Sequence, residues 1–428
     1  MRKRSVQIVL AWALAVGMSS WCVAAAPKAP KAKQPKPVKA ASAAPEYDVL
    51  YQVYVPTFAE TIAAAIKEGI QKDLARQRPL EPDQLYALRK QVGQGFLESV
   101  PRAVKEVENF RLGWRLDRAE KRTYLDLTLT ALPGTGLARE FAKLSGLKTA
   151  FGGFAAPDAA LAAHWTGQMP AADAARAARL VETGRDKAIR KIGDEAISDD
   201  DKKVRKELAN KLFDVMRDTA ASGRSDGALS LVVRPEEVRL LFGAYVADGA
   251  KLESVVKPVA EFFQTRHPLL AGLKLDADSA AGVNFHTLDL PAPHDRNREK
   301  FIQVFGESLQ VVVGFGKEAV YVAVGRDALK SLKEAIQKSA TTSAAGPFEV
   351  SLALKPVADF IAAIGKEHEK DQAKKIADVL RAAGGKDHLR LSVQPIERGA
   401  TLRLDAEEGV LQLIGTVSPK AKAFLLGK

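Results

Sequence analysis

The densest group of side chains able to bind a metal lies between residues 286 and 295. His286, Asp289, His294 and Asp295 place four potential ligands on a predicted strand end and a proline-rich loop. Imidazole nitrogens and carboxylate oxygens are common zinc ligands, and the loop would have to fold back to bring them together. Loops after strands often carry exposed histidine and aspartate without such a role. The sequence therefore predicts no metal site.

The patterns of other catalytic classes are incomplete. A phosphate-binding loop needs a glycine five residues before its Gly-Lys pair. The Gly-Lys pairs at Gly316, Gly365 and Gly385 all lack it. A zinc hydrolase needs a second histidine at helical spacing, whereas the segment around His368 supplies one. No serine can be paired with a general base from the sequence alone. We therefore predict no catalytic residue, no cofactor-binding residue and no cofactor. A pair of carboxylates of the glycosidase type stays open, because their separation is a three-dimensional property.

The amino terminus has the pattern of a secretory signal peptide over residues 1–26. Arg2, Lys3 and Arg4 form a positive region, residues 6–21 are almost wholly apolar, and small residues follow. Cleavage is expected near Ala25, which predicts a periplasmic or extracellular protein. The apolar stretch is shorter than the roughly 20 residues of a membrane-spanning helix, so the mature chain is expected to have no transmembrane segment.

Cys22 is the only cysteine, and it lies inside the predicted signal peptide. Its removal would leave a mature chain without a disulfide or a thiolate ligand. Acylation of Cys22 is the alternative, but the bulky Trp21 stands where a small residue normally precedes a lipidated cysteine.

The formal charge of +12 lies mostly near the amino terminus. Eight of the 64 basic residues precede Glu46, so the remaining 56 nearly balance the 52 acidic residues. A nearly neutral body gives no reason to expect nucleic-acid binding. Residues 27–45, rich in proline, alanine and lysine, are predicted to be a disordered linker. This linker is interpreted as a spacer, with weak contact to an anionic surface as the alternative.

A unit of alternating strand, proline and amphipathic helix recurs along the body. The prolines are Pro56, Pro170, Pro235 and Pro356. Proline lacks the strand's hydrogen-bond donor and has φ suited to a first helical turn, so it ends one element and begins the next. Pro56 and Pro235 are 179 residues apart, and Pro170 and Pro356 are 186 residues apart. These similar offsets predict a tandem duplication with an α+β half at 47–225 and a second at 226–428.

Antiparallel strand pairs are predicted between these units. Leu112, Trp114 and Leu116 alternate before a charged turn at residues 118–121, and alternating leucines follow it. Further strands are predicted on both sides of a turn at 277–281, at 309–324 and at 389–413. Because hairpins outnumber crossovers, we predict an α+β fold with mainly antiparallel sheet packed against amphipathic helices.

Residues 171–221 have a helical and highly charged pattern. The acidic run after Ser198 has neither the glycine nor the distal glutamate of a calcium loop. Ser198 with Asp201 is therefore interpreted as a helix N-cap.

The combination of signal peptide, Lys/Pro/Ala linker and strand-Pro-helix units such as 230–235 and 351–356 resembles large exported bacterial α+β proteins of unknown function. The resemblance is architectural and implies no activity. We interpret the chain as a non-enzymatic envelope protein that provides a binding or structural surface for an envelope component or a protein partner. A periplasmic carrier of lipid or amphiphile is the alternative, and a hydrolase of envelope polymers ranks third.

Overall fold

The structure is a computed structural model that describes residues 47–77, 97, 101, 103–265, 268–342 and 346–417. The predicted signal peptide and linker lie outside these residues. Within them, the strands are β1 Val49–Tyr54, β2 Val107–Asp117, β3 Arg122–Ala131, β4 Leu161–Gln168, β5 Arg224–Arg234, β6 Glu237–Tyr245, β7 Leu273–Ala280, β8 Val283–Pro291, β9 Ser308–Phe315, β10 Ala319–Gly325, β11 Phe348–Ala353, β12 His388–Ile396 and β13 Gly399–Glu407.

The α-helices are α1 Ala59–Gln77, α2 Gly136–Leu144, α3 Ala171–Gly193, α4 Asp199–Ala221, α5 Gly249–Gln264, α6 Arg298–Phe305, α7 Ala328–Ser339, α8 Leu354–Ile364, α9 Glu367–Ala382 and α10 Glu408–Val417. The strand pairs for which a register is described are antiparallel. The predicted α+β class with antiparallel sheet is confirmed.

The chain divides into two compact units. Their described parts are residues 47–146 with 392–405, the amino-terminal unit, and residues 147–391 with 406–417, the carboxy-terminal unit. The chain leaves the carboxy-terminal unit within β12, after Leu391, and returns to it within β13, after Asp405.

The amino-terminal unit contains neighbouring strands in the order β1, β2, β3, β13. Its core lies where α1 and α2 pack on the sheet, and includes Val55, Ala59, Val107, Ala131 and Leu137. Thr135 caps α2 by accepting a hydrogen bond from the Ala138 amide, so a short side chain fixes the start of this helix.

The carboxy-terminal unit contains strands in the order β11, β4, β5, β6, β10, β9, β8, β7. Phe154, Phe285, Val312 and Leu332 are fully buried in its largest core cluster. Helix α7 packs so closely on the short 3-10 helix Gly152–Phe154 that a Cβ at Gly153 would lie 2.1 Å from the carbonyl oxygen of Ala335. Only glycine permits this approach.

Three of the four predicted strand-Pro-helix units are confirmed. Pro56 follows β1, Pro170 precedes α3, and Pro356 lies in the first turn of α8. The unit at Pro235 is a correction, because the β5–β6 hairpin turns there and no helix follows. The residues after it, Glu237–Tyr245, include valine, leucine, phenylalanine and tyrosine, which favour a strand. Without a unit at Pro235, the pair Pro56 and Pro235 no longer supports the predicted duplication. The division into two similar halves is not confirmed.

Most predicted hairpins are present, with two corrections. Residues 410–413 belong to α10 and not to a strand, and Gln412 bonds Glu408 one helical turn away. A segment of four residues fits both the helical and the strand period, so its pattern alone could not decide between helix and strand. The turn predicted at 277–281 lies instead at Ala281 and Gly282, both with positive φ. Strand β7 extends to this turn and contains an irregular register near Asp276.

The helical pattern at 171–221 is confirmed as the α3–α4 pair. Ser198 accepts a hydrogen bond from the Asp201 amide and caps α4, as predicted.

Candidate functional site

The four candidate ligands between residues 286 and 295 do not form one group in the described structure. His286 lies in β8 and is buried, with an exposed fraction of 5%. Asp289, in the same strand, accepts a hydrogen bond from Gln310. The two carboxylates closest to His286 come from other elements, Glu253 of α5 and Asp276 of β7.

Both ring nitrogens of His286 are engaged. The Asp276 amide donates to Nδ1 at 2.9 Å, so the neutral ring carries its proton on Nε2. That nitrogen lies 3.2 Å from Glu253 Oε1 and donates to it. Asp276 has φ of 51°, and this local distortion of β7 aims its amide at the ring.

Lys257 lies between the two carboxylates of this network. Its Nζ is 2.8 Å from Glu253 Oε1 and 2.7 Å from Asp276 Oδ1. The side-chain nitrogen of Asn284, Nδ2, donates to the same two oxygens. The ammonium group therefore occupies the position that a bound cation would take between the two carboxylates.

Protonation states follow from these contacts. Burial lowers the pKa of His286, opposed by the attraction of Glu253, and keeps its ring neutral at pH 7. Burial would raise the pKa of Glu253, but hydrogen bonds from Lys257 and Asn284 outweigh it and lower that pKa. Hydrogen bonds to Asp276 and Glu253 raise the pKa of Lys257. The network holds α5 against β7 and β8, and its groups are already satisfied.

A second charged network lies in the amino-terminal unit. Arg403 donates two hydrogen bonds of 2.7 Å to Asp126, whose exposed fraction is 1%. The Tyr47 hydroxyl donates to the same carboxylate at 2.8 Å, and the Arg403 guanidinium lies 4.2 Å from the centre of the Tyr124 ring. This bidentate pair binds β3 to β13, and both oxygens of the buried carboxylate accept hydrogen bonds.

The opposite face of the same strands is apolar and partly open. Residues directly opposite one another in a sheet share a face, and the register gives three rows across β1, β2 and β3. The rows are Val49–Trp114–Leu125, Tyr51–Leu112–Leu127 and Val53–Phe110–Leu129. Helices α1 and α2 cover the third row, whereas Val49, Tyr51, Leu112 and Leu125 are exposed.

Leu404 of β13 is also exposed. It lies on this face, because the side chain of the adjacent Arg403 reaches Asp126 on the opposite face and successive side chains of a strand alternate. We call Val49, Tyr51, Leu112, Leu125 and Leu404 the apolar face. Contiguous exposed apolar surface on a protein commonly marks an interaction site.

Strand β1 borders this face and, among the described strands, is the terminal one of its sheet. Val49, Leu50, Tyr51 and Tyr54 have exposed fractions of 57%, 52%, 61% and 55%, so side chains on both faces are exposed. Natural edge strands are usually protected by charges, proline or a bulge. Val49–Tyr54 contains no charged residue and no proline, and its register with β2 is regular.

Comparisons with known proteins found no matching family model, no matching curated protein and no matching solved structure. Within the described residues, none of the helices combines the length and apolar character needed to cross a bilayer.

The sequence identified β1 as a strand but could not show that it lies at an edge. It identified His286 as a potential ligand but missed Glu253 and Asp276. Those partners are 33 and 10 residues away, and no local pattern connects them, because the contacts arise from packing of α5 on the β7–β8 hairpin.

Proposed function

We propose that this protein is exported to the periplasm or beyond and acts there, without catalysis, as a structural component that pairs with a second copy through β1. Export is supported by the basic and apolar pattern of residues 1–26. Pairing is supported by one observation above all, the uncharged and exposed edge strand Val49–Tyr54.

An open strand edge offers a row of backbone donors and acceptors to another extended chain. Because β1 has no charged side chain, placing it opposite a second β1 brings no like charges together. A two-fold axis centred on Gln52 would set Tyr51 opposite Val53 of the second copy. Aromatic and β-branched residues form favourable cross-strand pairs, each contributing roughly 0.2–1 kcal/mol relative to alanine.

The same symmetry determines where the apolar face lies in the pair. Antiparallel pairing of a strand with itself places the two-fold axis perpendicular to the sheet, so both apolar faces lie on one side. The combined surface would continue from Leu125 of one copy through both β1 strands to the second copy.

Analytical ultracentrifugation of the chain from residue 27 onward tests the pairing. We expect a concentration-dependent dimer up to about 100 μM, where a Kd near 10 μM would leave most chains paired. Tyr51→Lys should give a monomer, since a charge at the centre of the edge protects it from pairing. Leu125→Lys adds the same charge to the same face two strands away and should leave the dimer intact.

A wild-type chain that remains monomeric over this range would overturn the proposal. Equal dimerisation of Tyr51→Lys and wild type would also overturn it. Circular dichroism establishes that each variant is folded. Export is tested separately by the mass of the mature protein in a cell fraction, where an uncleaved amino terminus contradicts it.

We also propose that the chain grew by copying a strand-helix-hairpin module. The series strand, helix, two strands, helix occurs from β1 to α2, from β4 to α5 and from β11 to α10. Helical residues also directly precede the two strands in the first series, at 103–106, and the helices α4 and α9 precede them in the other two. Pro56, Pro170 and Pro356 lie after the first strand in each series. These positions support copying of a module shorter than the predicted halves at 47–225 and 226–428.

A further inference from the structure

A second group of potential metal ligands lies at the open end of the β12–β13 hairpin, in the carboxy-terminal unit. Asp387 directly precedes β12, His388 is its first residue, and Glu407 is the last residue of β13. One atom from each of the three side chains lies within 4.8 Å of the other two. We propose that Asp387, His388 and Glu407 bind a divalent transition-metal ion of the zinc type.

The separations fit a small ion. His388 Nδ1 lies 3.2 Å from Glu407 Oε2 and 3.5 Å from Asp387 Oδ1. Zinc bonds to nitrogen and oxygen of about 2.0–2.2 Å place tetrahedral ligands roughly 3.3–3.6 Å apart. The three atoms can therefore converge on one ion with small side-chain movements.

The other contacts of these carboxylates orient them without filling the site. The Lys355 amide donates to Asp387 Oδ2 at 2.6 Å, so Asp387 caps α8 with one oxygen and directs Oδ1 towards His388. The His388 backbone amide donates to Glu407 Oε2 at 2.9 Å, and Arg390 contacts the other oxygen, Oε1, at 3.3 Å. One hydrogen bond leaves Oε2 a second lone pair for a metal ion. Contacts of this kind hold metal ligands in position.

The His286 network provides an internal contrast. It contains the same three side-chain types, but Lys257 bridges its carboxylates, and both of its ring nitrogens have partners. At His388, only Nδ1 has a described polar partner among the residues that the structure describes. The side chain of His388 is 28% exposed, whereas those of Asp387 and Glu407 are 6% and 16% exposed. An ion can therefore approach from the His388 side.

The site would supply three protein ligands and leave a fourth position for water or a ligand from solution. Three protein ligands with one open position are typical of zinc sites that interact with other molecules, whereas structural sites use four. This inference does not depend on the proposed pairing through β1, because β1 belongs to the amino-terminal unit.

Calorimetry with Zn²⁺ and visible absorption with Co²⁺ test the site in the tag-free chain from residue 27, after chelator treatment. We expect one ion per chain and a tetrahedral Co²⁺ spectrum. Glu407→Gln and His388→Gln should each weaken Zn²⁺ binding by at least the roughly 10–100-fold loss typical of an altered supporting contact. His286→Gln removes a comparable imidazole from the filled network and should leave the affinity unchanged.

The competing arrangement is a protonated His388 held by the two carboxylates. In that case wild type would bind no Zn²⁺ and would give no Co²⁺ spectrum, and the proposal would be overturned. Binding that survives both Glu407→Gln and His388→Gln would overturn it equally. Circular dichroism confirms the fold, and Glu407→Gln is the decisive variant because it leaves the Asp387 cap of α8 intact.

Discussion

Replacement of Asp126 by asparagine should strongly destabilise the amino-terminal unit. Asp126 is almost fully buried, and it accepts two hydrogen bonds from Arg403 and one from Tyr47. Asparagine has nearly the same shape but no charge, and its amide nitrogen cannot accept a hydrogen bond. The variant therefore leaves the Arg403 guanidinium without its counter-ion while creating no cavity.

The magnitude follows from the burial of the pair. Removing one partner of a buried ion pair typically costs about 3–5 kcal/mol, because the remaining charge is uncompensated. The Arg403 side chain is 22% exposed and still contacts the Tyr124 ring, so the low end, about 3 kcal/mol, applies. With a urea dependence of roughly 1.5 kcal/mol per molar for a unit of this size, the unfolding midpoint should fall by about 2 M.

The tryptophans make this measurement local. A chain beginning at residue 27 retains Trp114 and Trp165, one in each unit. In a Trp165→Phe background, the fluorescence of Trp114 reports urea unfolding of the amino-terminal unit alone. The control is Glu60→Gln, which also removes one negative charge but breaks an exposed ion pair with Lys105.

The control should change stability by less than about 1 kcal/mol, because exposed ion pairs contribute little. If Asp126→Asn shifted the midpoint no more than Glu60→Gln, the buried pair would not contribute as argued. A change in the slope of the transition would instead show that the variant altered the unfolded state or the cooperativity.

Three further predictions concern single groups. Burial and the hydrogen bond to Asp126 raise the pKa of Tyr47 to about 12. In an ultraviolet titration, Tyr47 should therefore ionise at higher pH than exposed tyrosines, and stability should fall between pH 10 and 12. Ionisation of Tyr47 near pH 10 contradicts this. Burial lowers the pKa of His286. In a Trp114→Phe variant, where Trp165 reports unfolding of the carboxy-terminal unit, stability should therefore decline as pH falls below about 6.5. An NMR titration that gives His286 a pKa above that value would refute the assignment. In the same background, Gly153→Ala should cost about 1–3 kcal/mol by urea unfolding, because its Cβ meets backbone atoms. Gly167→Ala, in the same unit and with open space around it, should be nearly neutral. Equal effects of the two substitutions would contradict the predicted clash.

Local features were predictable because their causes lie within a few residues. Ser198 and Asp201 are three residues apart, and the side chain of one satisfies the amide of the other. The β2–β3 hairpin combines alternating leucines with a charged turn at 118–121, and both signals are local. The unit at Pro235 was not predictable in the same way, since a proline that ends a strand can precede a helix or a hairpin turn.

Contacts between distant segments were not accessible from the sequence. Asp126 and Arg403 are 277 residues apart, and they meet because β3 and β13 are neighbours. Alternation shows which face of a strand is apolar but not which strand lies beside it. The same limit applies to β1, whose composition was visible but whose place at the edge depends on strand order.

By itself, the sequence determined the amino-terminal export pattern, the charged α3–α4 pair and most of the antiparallel hairpins. Periodicity and caps act over a few residues and are therefore encoded locally. The tertiary structure alone decided that Lys257 fills the His286 network, that Asp387, His388 and Glu407 converge, and that β1 is exposed. These outcomes depend on which elements pack together, since a side chain acquires its chemical neighbours only when distant segments meet.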